Sequence, residues 1–89
     1  MSISELYSPE KRVVGLKQVQ RFARMAMLEK VYIANDADES VTQKLKALCQ
    51  KHGIPFDMTH TMHQIGNACR IDVGSSCAGV LKEPVQKQR

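Results

Sequence analysis

Apolar and polar positions in the first half of the chain alternate between strand-like and helix-like periods. Residues 12–14 are a short apolar run that stops at Gly15, which predicts a strand. Residues 17–28 have the spacing of a helix, whose apolar face is expected to be core: Val19, Phe22, Ala23 and Ala26. The apolar run within 30–34 predicts a second strand, covered on both faces.

The second half repeats this alternation, and its turns carry signals for helix ends. Asp38 stands where a helix N-cap is expected, and Gly53 stands where that helix should end. The helix between them has one apolar face: Val41, Leu45, Leu48 and Cys49. Residues 54–58 predict a third strand, and Thr61 followed by Gln64 is a capping box that opens another helix.

The two ends of the chain complete the predicted architecture. Residues 8–11 are typical of a short helical turn capped by a serine, and the small residues of 76–82 predict a last strand. Alternating strands and helices with short connections predict an α/β protein, a three-layer αβα sandwich around a mixed, mainly four-stranded sheet. We expect one domain over 1–89, with a core at about 8–82 and a flexible tail at 83–89.

Composition excludes several classes of protein. Hydrophobic residues are 43% and charged residues 25%, as in folded soluble domains, so disorder is excluded for the body of the chain. No apolar run approaches the roughly 20 residues that span a bilayer, and 1–10 lacks the apolar centre of a signal peptide. We therefore expect a cytoplasmic protein with no membrane partner.

Net charge is modest, but the basic residues are concentrated in one segment. Thirteen Lys and Arg against nine Asp and Glu give a formal charge of +4 and a pI near 9.2. Five basic residues and no acid fall within 11–24: Lys11, Arg12, Lys17, Arg21 and Arg24. This concentration favours an anionic partner at one face, although a run of charges is more often only a solvated helix face. With two Tyr, two Phe and no Trp, the chain is not expected to form an aromatic platform for nucleobases.

Cysteine and histidine positions give little support to a metal or catalytic site. Cys49, Cys69 and Cys77 are odd in number and lack C-x-x-C spacing, which argues against a disulfide framework or a zinc knuckle. His60 and His63 could share a helical face and bind a metal with a cysteine, but a structural zinc site needs four ligands. The sequence contains no phosphate-binding loop, dinucleotide fingerprint or pair of catalytic carboxylates. We expect no enzymatic activity and no cofactor.

The junction between the first predicted strand and helix has the features of an anion site. Helix N-termini attract anions, and Gly15 allows another backbone to approach closely. Lys17, Gln18 and Arg21 project from one face of the first turns, because three- and four-residue intervals relate them. Two cations and an amide could bind phosphates and address base edges.

Four segments resemble the ribosomal L7Ae family, and more closely its small bacterial branch: 15–21 (GLKQVQR), 33–38 (IANDAD), 53–56 (GIPF) and 65–69 (IGNAC). Each motif alone is weak, but all four occur in the family's order and spacing, and the resemblance covers about 11–81. It implies an αβα sandwich that binds kink-turn RNA, a sharply bent element built on sheared G·A pairs. Such a protein would stabilise the bent form of the RNA.

The resemblance also implies which residues contact RNA. The family pattern at the first site is Gly, one residue, Asn, Glu, two residues, Lys; here Lys17, Gln18 and Arg21 replace its last three named residues, and the bacterial branch commonly has Lys-Gln. The second family element is the loop into the third helix, here residues 59–62, which in the family covers a flipped-out base. The residues implied are Gly15, Lys17, Gln18, Arg21, Asn35, Asp36, Met58, Thr59, His60, Thr61 and Met62. Met58 and Met62 would give apolar cover, or are plain core residues.

The partner implied by the resemblance is a structured RNA with a kink-turn, whether ribosomal RNA, a riboswitch or another non-coding RNA. We expect the protein to act as a monomer. The alternative is a protein-interaction domain on the same scaffold, with the basic strip merely solvated. Gly15 and the clustering of Lys17 with Arg21 favour RNA.

Overall fold

Strands and helices alternate along the chain as the apolar spacing predicts. The computed structural model describes residues 3–83. Its strands are β1 (Arg12–Val14), β2 (Leu28–Ala34), β3 (Phe56–His60) and β4 (Cys77–Leu81). Its helices are α1 (Leu16–Arg24), α2 (Glu39–His52) and α3 (Met62–Ala68), preceded by two 3₁₀ helices, Ile3–Tyr7 and Pro9–Lys11.

The four strands form one mixed sheet in the order β1-β4-β2-β3. β4 is antiparallel to both of its neighbours, and β2 and β3 are parallel. The C-terminal ends of β1, β2 and β3 therefore meet at one edge of the sheet, where β4 begins. Because each of these three strands is followed directly by a helix, α1, α2 and α3 all begin at this same edge. We call it the loop edge.

Both faces of the sheet are covered, which confirms the predicted three-layer αβα sandwich. Side chains alternate along β2, so that Val31 and Ile33 pack in the core beneath α1 and α2, whereas Tyr32 and Ala34 pack in the core beneath α3. All four of these residues are fully buried. Burial on both faces explains why the run of apolar residues in β2 shows no polar alternation.

Helix α1 ends at Arg24, four residues before the predicted end, and Ala26 is not part of its core face. Ala26 is exposed and left-handed, with φ of 57°. The N–H groups of Ala26 and Met27 donate to the carbonyls of Ala23 and Phe22, each at 3.0 Å, which closes the helix. The helix ends here because the chain must turn into β2, whose start is held by the bond from the Lys82 N–H to the Met27 carbonyl at 2.9 Å.

The other two helices confirm the predicted end signals, with one correction. Gly53 ends α2 in the left-handed conformation, and Thr61 and Gln64 form the complete capping box of α3. Asp38 occupies the N-cap position of α2, but among the described residues its side chain makes no capping bond. The Asp38 carbonyl accepts the first hydrogen bonds of α2, which the Val41 and Thr42 N–H groups donate.

Strand β3 is displaced by two residues from the predicted range of 54–58. Ile54 lies outside the strand because its N–H donates to the Cys49 carbonyl at 2.8 Å, which completes the end of α2. The strand then continues to His60 because one extra residue is accommodated between the pairs Tyr32–Asp57 and Ala34–His60. Because of this bulge, Thr59 and His60 belong to strand β3, whereas the sequence predicted them in the loop before α3.

The N-terminal segment contributes more to the fold than its sequence suggested. A 3₁₀ helix is found at Pro9–Lys11, but in the described part of the chain Ser8 does not cap it with its side chain. The unpredicted 3₁₀ helix Ile3–Tyr7 packs beneath α3, and its Leu6 is fully buried. The Arg12 guanidinium holds this segment in place by donating to the Leu6 carbonyl at 2.8 Å. Except for Glu83, the tail predicted at 83–89 lies outside the described residues.

Candidate functional site

The predicted site residues around Gly15, Asn35 and the start of α3 come together at the loop edge, whereas residues 53–56 lead into the start of β3 at the other end of the sheet. The Gly15 N–H donates to the Cys77 carbonyl at 3.1 Å, so the end of β1 lies beside the start of β4. The Ala34 N–H donates to the Ser76 carbonyl at 2.8 Å, and the Asn35 N–H donates to the His60 carbonyl at 2.9 Å. These bonds place Gly15, Asn35 and the start of α3 along one continuous edge, although Gly15 and Met62 are 47 residues apart in the sequence.

Gly15 adopts a backbone conformation that other residues avoid. Its φ of 95° and ψ of 160° lie in a region that is essentially restricted to glycine. A Cβ at this position would meet none of the described atoms within 4 Å, so the space beside Gly15 is open. Glycine is therefore required here by the turn from β1 into α1, and the same position leaves room for a ligand.

The exposed face of α1 is positively charged next to its N-terminus. Val19 and Ala23 are buried beneath the helix, whereas Lys17, Gln18 and Arg21 are exposed as predicted. Within residues 3–83, neither cation has a carboxylate within 4.0 Å. Gly15 provides no side chain to cap the first N–H groups, and the first intrahelical bond runs from the Val19 N–H to the Gly15 carbonyl. Uncapped amides, the positive end of the helix dipole and two cations thus coincide.

Asn35 and Asp36 hold the start of α3 in place. The Asn35 amide donates to the Met58 carbonyl at 3.2 Å, which ties the end of β2 to β3. The Met62 N–H donates to an Asp36 carboxylate oxygen at 2.8 Å and is thereby satisfied at the first turn of α3. The structure therefore gives both side chains a positioning role at the loop edge.

The bulge in β3 is closed by its own side chains. One carboxylate oxygen of Asp57 accepts hydrogen bonds from the Thr59 N–H at 2.7 Å and from the Thr59 hydroxyl at 2.6 Å. The bond from the hydroxyl is the main reason that the pKa of Asp57 is lowered. The bulge turns His60 toward Tyr32, with 5.8 Å between the ring centroids. Burial, followed by the hydrogen bond to Glu5, raises the pKa of Tyr32, so its hydroxyl stays protonated.

Met58 and Met62 do not form one apolar surface. Met58 packs against the core beneath α1 and α2, whereas Met62 packs against the core on the α3 side of the sheet. The most exposed apolar side chain in the described connection after α3 is Val73, with 71% of its surface accessible. Val73 precedes Gly74, which lies against Met62. The sequence signal for Val73 was the presence of two large apolar residues, Ile71 and Val73, in a connection that is otherwise polar or small.

The cysteines and histidines do not assemble into a second site within the described residues. Burial raises the pKa of Cys49 and that of Cys77 to about 11 each, and it also raises the pKa of Cys69. All three thiols are therefore protonated at neutral pH. Across residues 3–83, no three His, Cys, Asp or Glu side chains are grouped so that they could hold a metal ion.

A surface pocket of about 480 Å³ lies apart from the predicted residues, at the C-terminal end of α3. It is lined by Tyr7, Asn67, Arg70, Ile71 and Asp72.

None of the helices in the described part of the chain has the length and apolar character needed to cross a membrane.

Comparison with known proteins agrees with this fold and with the resemblance in the four motifs. The profile of the ribosomal protein L7Ae/L30e/S12e/Gadd45 family matches residues 3–88, which is almost the whole chain. The chain belongs to this family. The small bacterial branch is also supported, because the similar curated proteins include short bacterial members.

Two bacterial relatives illustrate the similarity within the family. The chain is 43% identical to the RNA-binding protein TTE2299 of Caldanaerobacter subterraneus over 70 residues, which cover 79% of this chain and 85% of that protein. It is 29% identical to the RNA-binding protein YbxF of Geobacillus stearothermophilus over 82 residues, covering 92% of this chain and all of YbxF.

A solved structure with lower identity supports the fold alone. The 15.5 kD RNA binding protein of Giardia lamblia superposes with a TM-score of 0.81 at 23% identity, over 91% of this chain and 68% of that protein.

Proposed function

We propose that this protein binds structured RNA at a kink-turn and stabilises the bent form, without catalysing a reaction. The observation that carries the proposal is the coincidence of Gly15, the uncapped start of α1 and the unpaired cations Lys17 and Arg21 at the loop edge. The family match and the names of the bacterial RNA-binding relatives support RNA as the ligand.

The charge of α1 explains why the bent RNA would be favoured over the extended one. Bending brings phosphates of the two RNA arms together, and their repulsion grows with the angle. Lys17 and Arg21 offset that repulsion without reading sequence, and the free N–H groups at the start of α1 add fixed donors for phosphate oxygens. Because these interactions are strongest with the bent form, binding shifts the RNA toward it.

Base recognition is assigned to Gln18 and Lys17, with the rest of the loop edge shaping the site. The Gln18 amide can both donate to and accept from a base edge, whereas Lys17 can only donate. Asn35 and Asp36 position the start of α3, and Thr59, His60 and Thr61 form the wall beside it.

Apolar cover for a flipped-out base is assigned to the exposed Val73, with Met58 and Met62 supporting the wall from the two cores. We propose that the physiological ligand is a non-coding or ribosomal RNA in the cytoplasm, and that a single protein molecule binds it.

A comparison of two alanine variants tests this placement of the RNA. Gln18→Ala should weaken binding to a standard kink-turn by about 1–3 kcal/mol, which is roughly 5- to 150-fold, because a base contact is lost. Arg24→Ala on the same helix, one turn farther from the loop edge, should bind a short kink-turn nearly as the parent does. Affinities are measured by titration against the kink-turn and against the same RNA without its G·A pairs.

The control RNA separates recognition from simple attraction of charge. The parent should bind the RNA without G·A pairs much more weakly, and Gln18→Ala should hardly change that weaker affinity. Equal affinity of the parent for both RNAs would refute kink-turn recognition. If Gln18→Ala binds like the parent while Arg24→Ala loses affinity, the RNA does not lie at the start of α1.

A further inference from the structure

The Lys and Arg residues that lie within helices are concentrated in one of the two helical layers, although Arg12 contacts the Ile3–Tyr7 segment of the other layer and Arg70 follows α3. Helices α1 and α2 together contain six Lys or Arg residues and one Glu. The layer on the other face of the sheet, formed by α3 and the 3₁₀ helix Ile3–Tyr7, contains one Glu and neither Lys nor Arg. The cations of α1 that serve the loop edge are thus only part of a larger basic surface.

The exposed cations of this layer form two parallel rows. On α1, Lys17, Arg21 and Arg24 are exposed at intervals of four and three residues, so they lie along one side of the helix. On α2, Lys44 and Lys51 are exposed seven residues apart, which is about 10.5 Å along the axis. Within residues 3–83, none of these five cations has a carboxylate within 4.0 Å.

The two rows run in the same direction from the loop edge. α1 and α2 both begin there, and they pack against each other on one face of the sheet. Packed helices have axes about 8–10 Å apart, so both rows belong to one compact layer of the protein. An RNA held at the loop edge therefore has the α2 lysines within reach of any arm that leaves the edge over this layer.

We propose that the outer face of α1 and α2 is a second contact surface, which binds phosphates of a duplex arm of the same RNA without regard to sequence. This inference rests on the proposed function, since the loop edge must first hold the kinked part of the RNA. Lys44 and Lys51 are its distinguishing residues, because they lie on α2, outside the predicted site.

The side chains on this face suit phosphates better than they suit a protein. The exposed positions of α2 between the two lysines are Ala47 and Gln50, and neither offers the aromatic or large apolar anchor of a protein interface. Lysine is a compact, strongly hydrated charge that binds phosphate without a directional requirement. Glu39, the acid of α2, stands at the start of the helix, so the outer part of this row is purely basic.

The test compares two RNAs that differ only in the length of one duplex arm. The parent protein should bind the long-armed kink-turn with a salt dependence about two units steeper than the short-armed one, because two more phosphates are contacted. That difference corresponds to a further loss of about tenfold in affinity between roughly 50 and 200 mM salt. The double variant Lys44→Gln, Lys51→Gln should lose this increment and bind the short-armed RNA like the parent.

A charge-matched variant provides the control. Lys11→Gln, Lys82→Gln removes two positive charges at the opposite end of the sheet, where β1 begins and β4 ends, and should retain the increment. If the double variant on α2 retains it, or if the parent shows none, this inference is wrong, although the short-armed RNA still binds. Failure of the short-armed RNA to bind the parent would instead refute the proposed function itself. A column of immobilised polyglutamate tests for an acidic protein partner. If the double variant on α2 is no longer retained on this column while the parent is, and both bind the two RNAs equally, the face binds an acidic protein and the inference is overturned.

Discussion

Replacing Gly15 with alanine should separate the backbone role of this residue from its role in binding. Gly15 and Gly53 both have positive φ, 95° and 66°, and at neither position would a Cβ meet a described atom within 4 Å. Gly15→Ala and Gly53→Ala therefore impose strain on the backbone without a steric clash. They differ in place, because Gly15 lies at the loop edge and Gly53 lies at the C-terminal end of α2.

The expected loss of stability can be worked out from the two conformations. A residue other than glycine in the region of Gly15 costs about 1–3 kcal/mol, and alanine in the left-handed region of Gly53 costs about 1–2 kcal/mol. Alanine also lowers the conformational entropy of the unfolded chain, which raises the free energy of unfolding by about 0.4–1 kcal/mol in each case. The net loss is thus about 1–2 kcal/mol at Gly15 and about 1 kcal/mol at Gly53. The bonds from Gly15 to Cys77 and Val19 prevent the turn from relaxing into another conformation.

Urea unfolding and RNA titration on the same samples provide the assay. Both variants should unfold at lower urea concentration, and a change of 1 kcal/mol should lower Tm by roughly 4–8 °C. After correction for the fraction folded, Gly53→Ala should bind the kink-turn like the parent. Gly15→Ala should bind more weakly, because its methyl group occupies the open space that the RNA backbone is proposed to approach.

Two results would refute this reasoning. If Gly15→Ala is as stable as the parent, the turn does not require a glycine conformation. If Gly15→Ala and Gly53→Ala lose RNA affinity only in proportion to their loss of folded protein, the RNA does not approach Gly15.

Two further predictions concern stability alone. Ala26→Gly and Arg70→Gly should each raise the free energy of unfolding by about 0.5–1 kcal/mol in urea titrations, because φ is 57° and 63° at these helix ends; no gain would show that the left-handed residues are unstrained. Asp57 has a lowered folded-state pKa, so its carboxylate stabilises the fold above an unfolded pKa of about 3.9 and this stabilisation is lost as pH falls through the folded-state value. When thermal unfolding is measured at decreasing acidic pH, Asp57→Asn should therefore lose less stability than the parent. An equal loss of stability in both proteins would contradict this.

Much of the candidate site was predictable, and the exceptions have a common cause. The face of α1 that carries Lys17, Gln18 and Arg21 followed from helical spacing alone, because Val19 on the opposite side must be buried. The engagement of Asp36 with Met62 was not predictable, since it joins residues 26 apart in the sequence. The separation of Met58 from Met62 likewise depends on the tertiary structure, because β3 places Met58 against the core beneath α1 and α2, whereas α3 places Met62 against the core on its own side of the sheet.

Features that depend on residues close together in the sequence could be predicted from it. Features that depend on contacts between distant residues across the sheet could not. The capping box at Thr61 and the end of α2 at Gly53 are satisfied by bonds that span three to five residues, so their motifs predict them directly. The burial of Leu6 and the position of the turn from α1 into β2, which the Lys82–Met27 bond holds, arise from contacts across the fold. Apolar periodicity indicates which positions are buried. Which part of the chain covers them depends on how β2 and α3 pack in the folded protein.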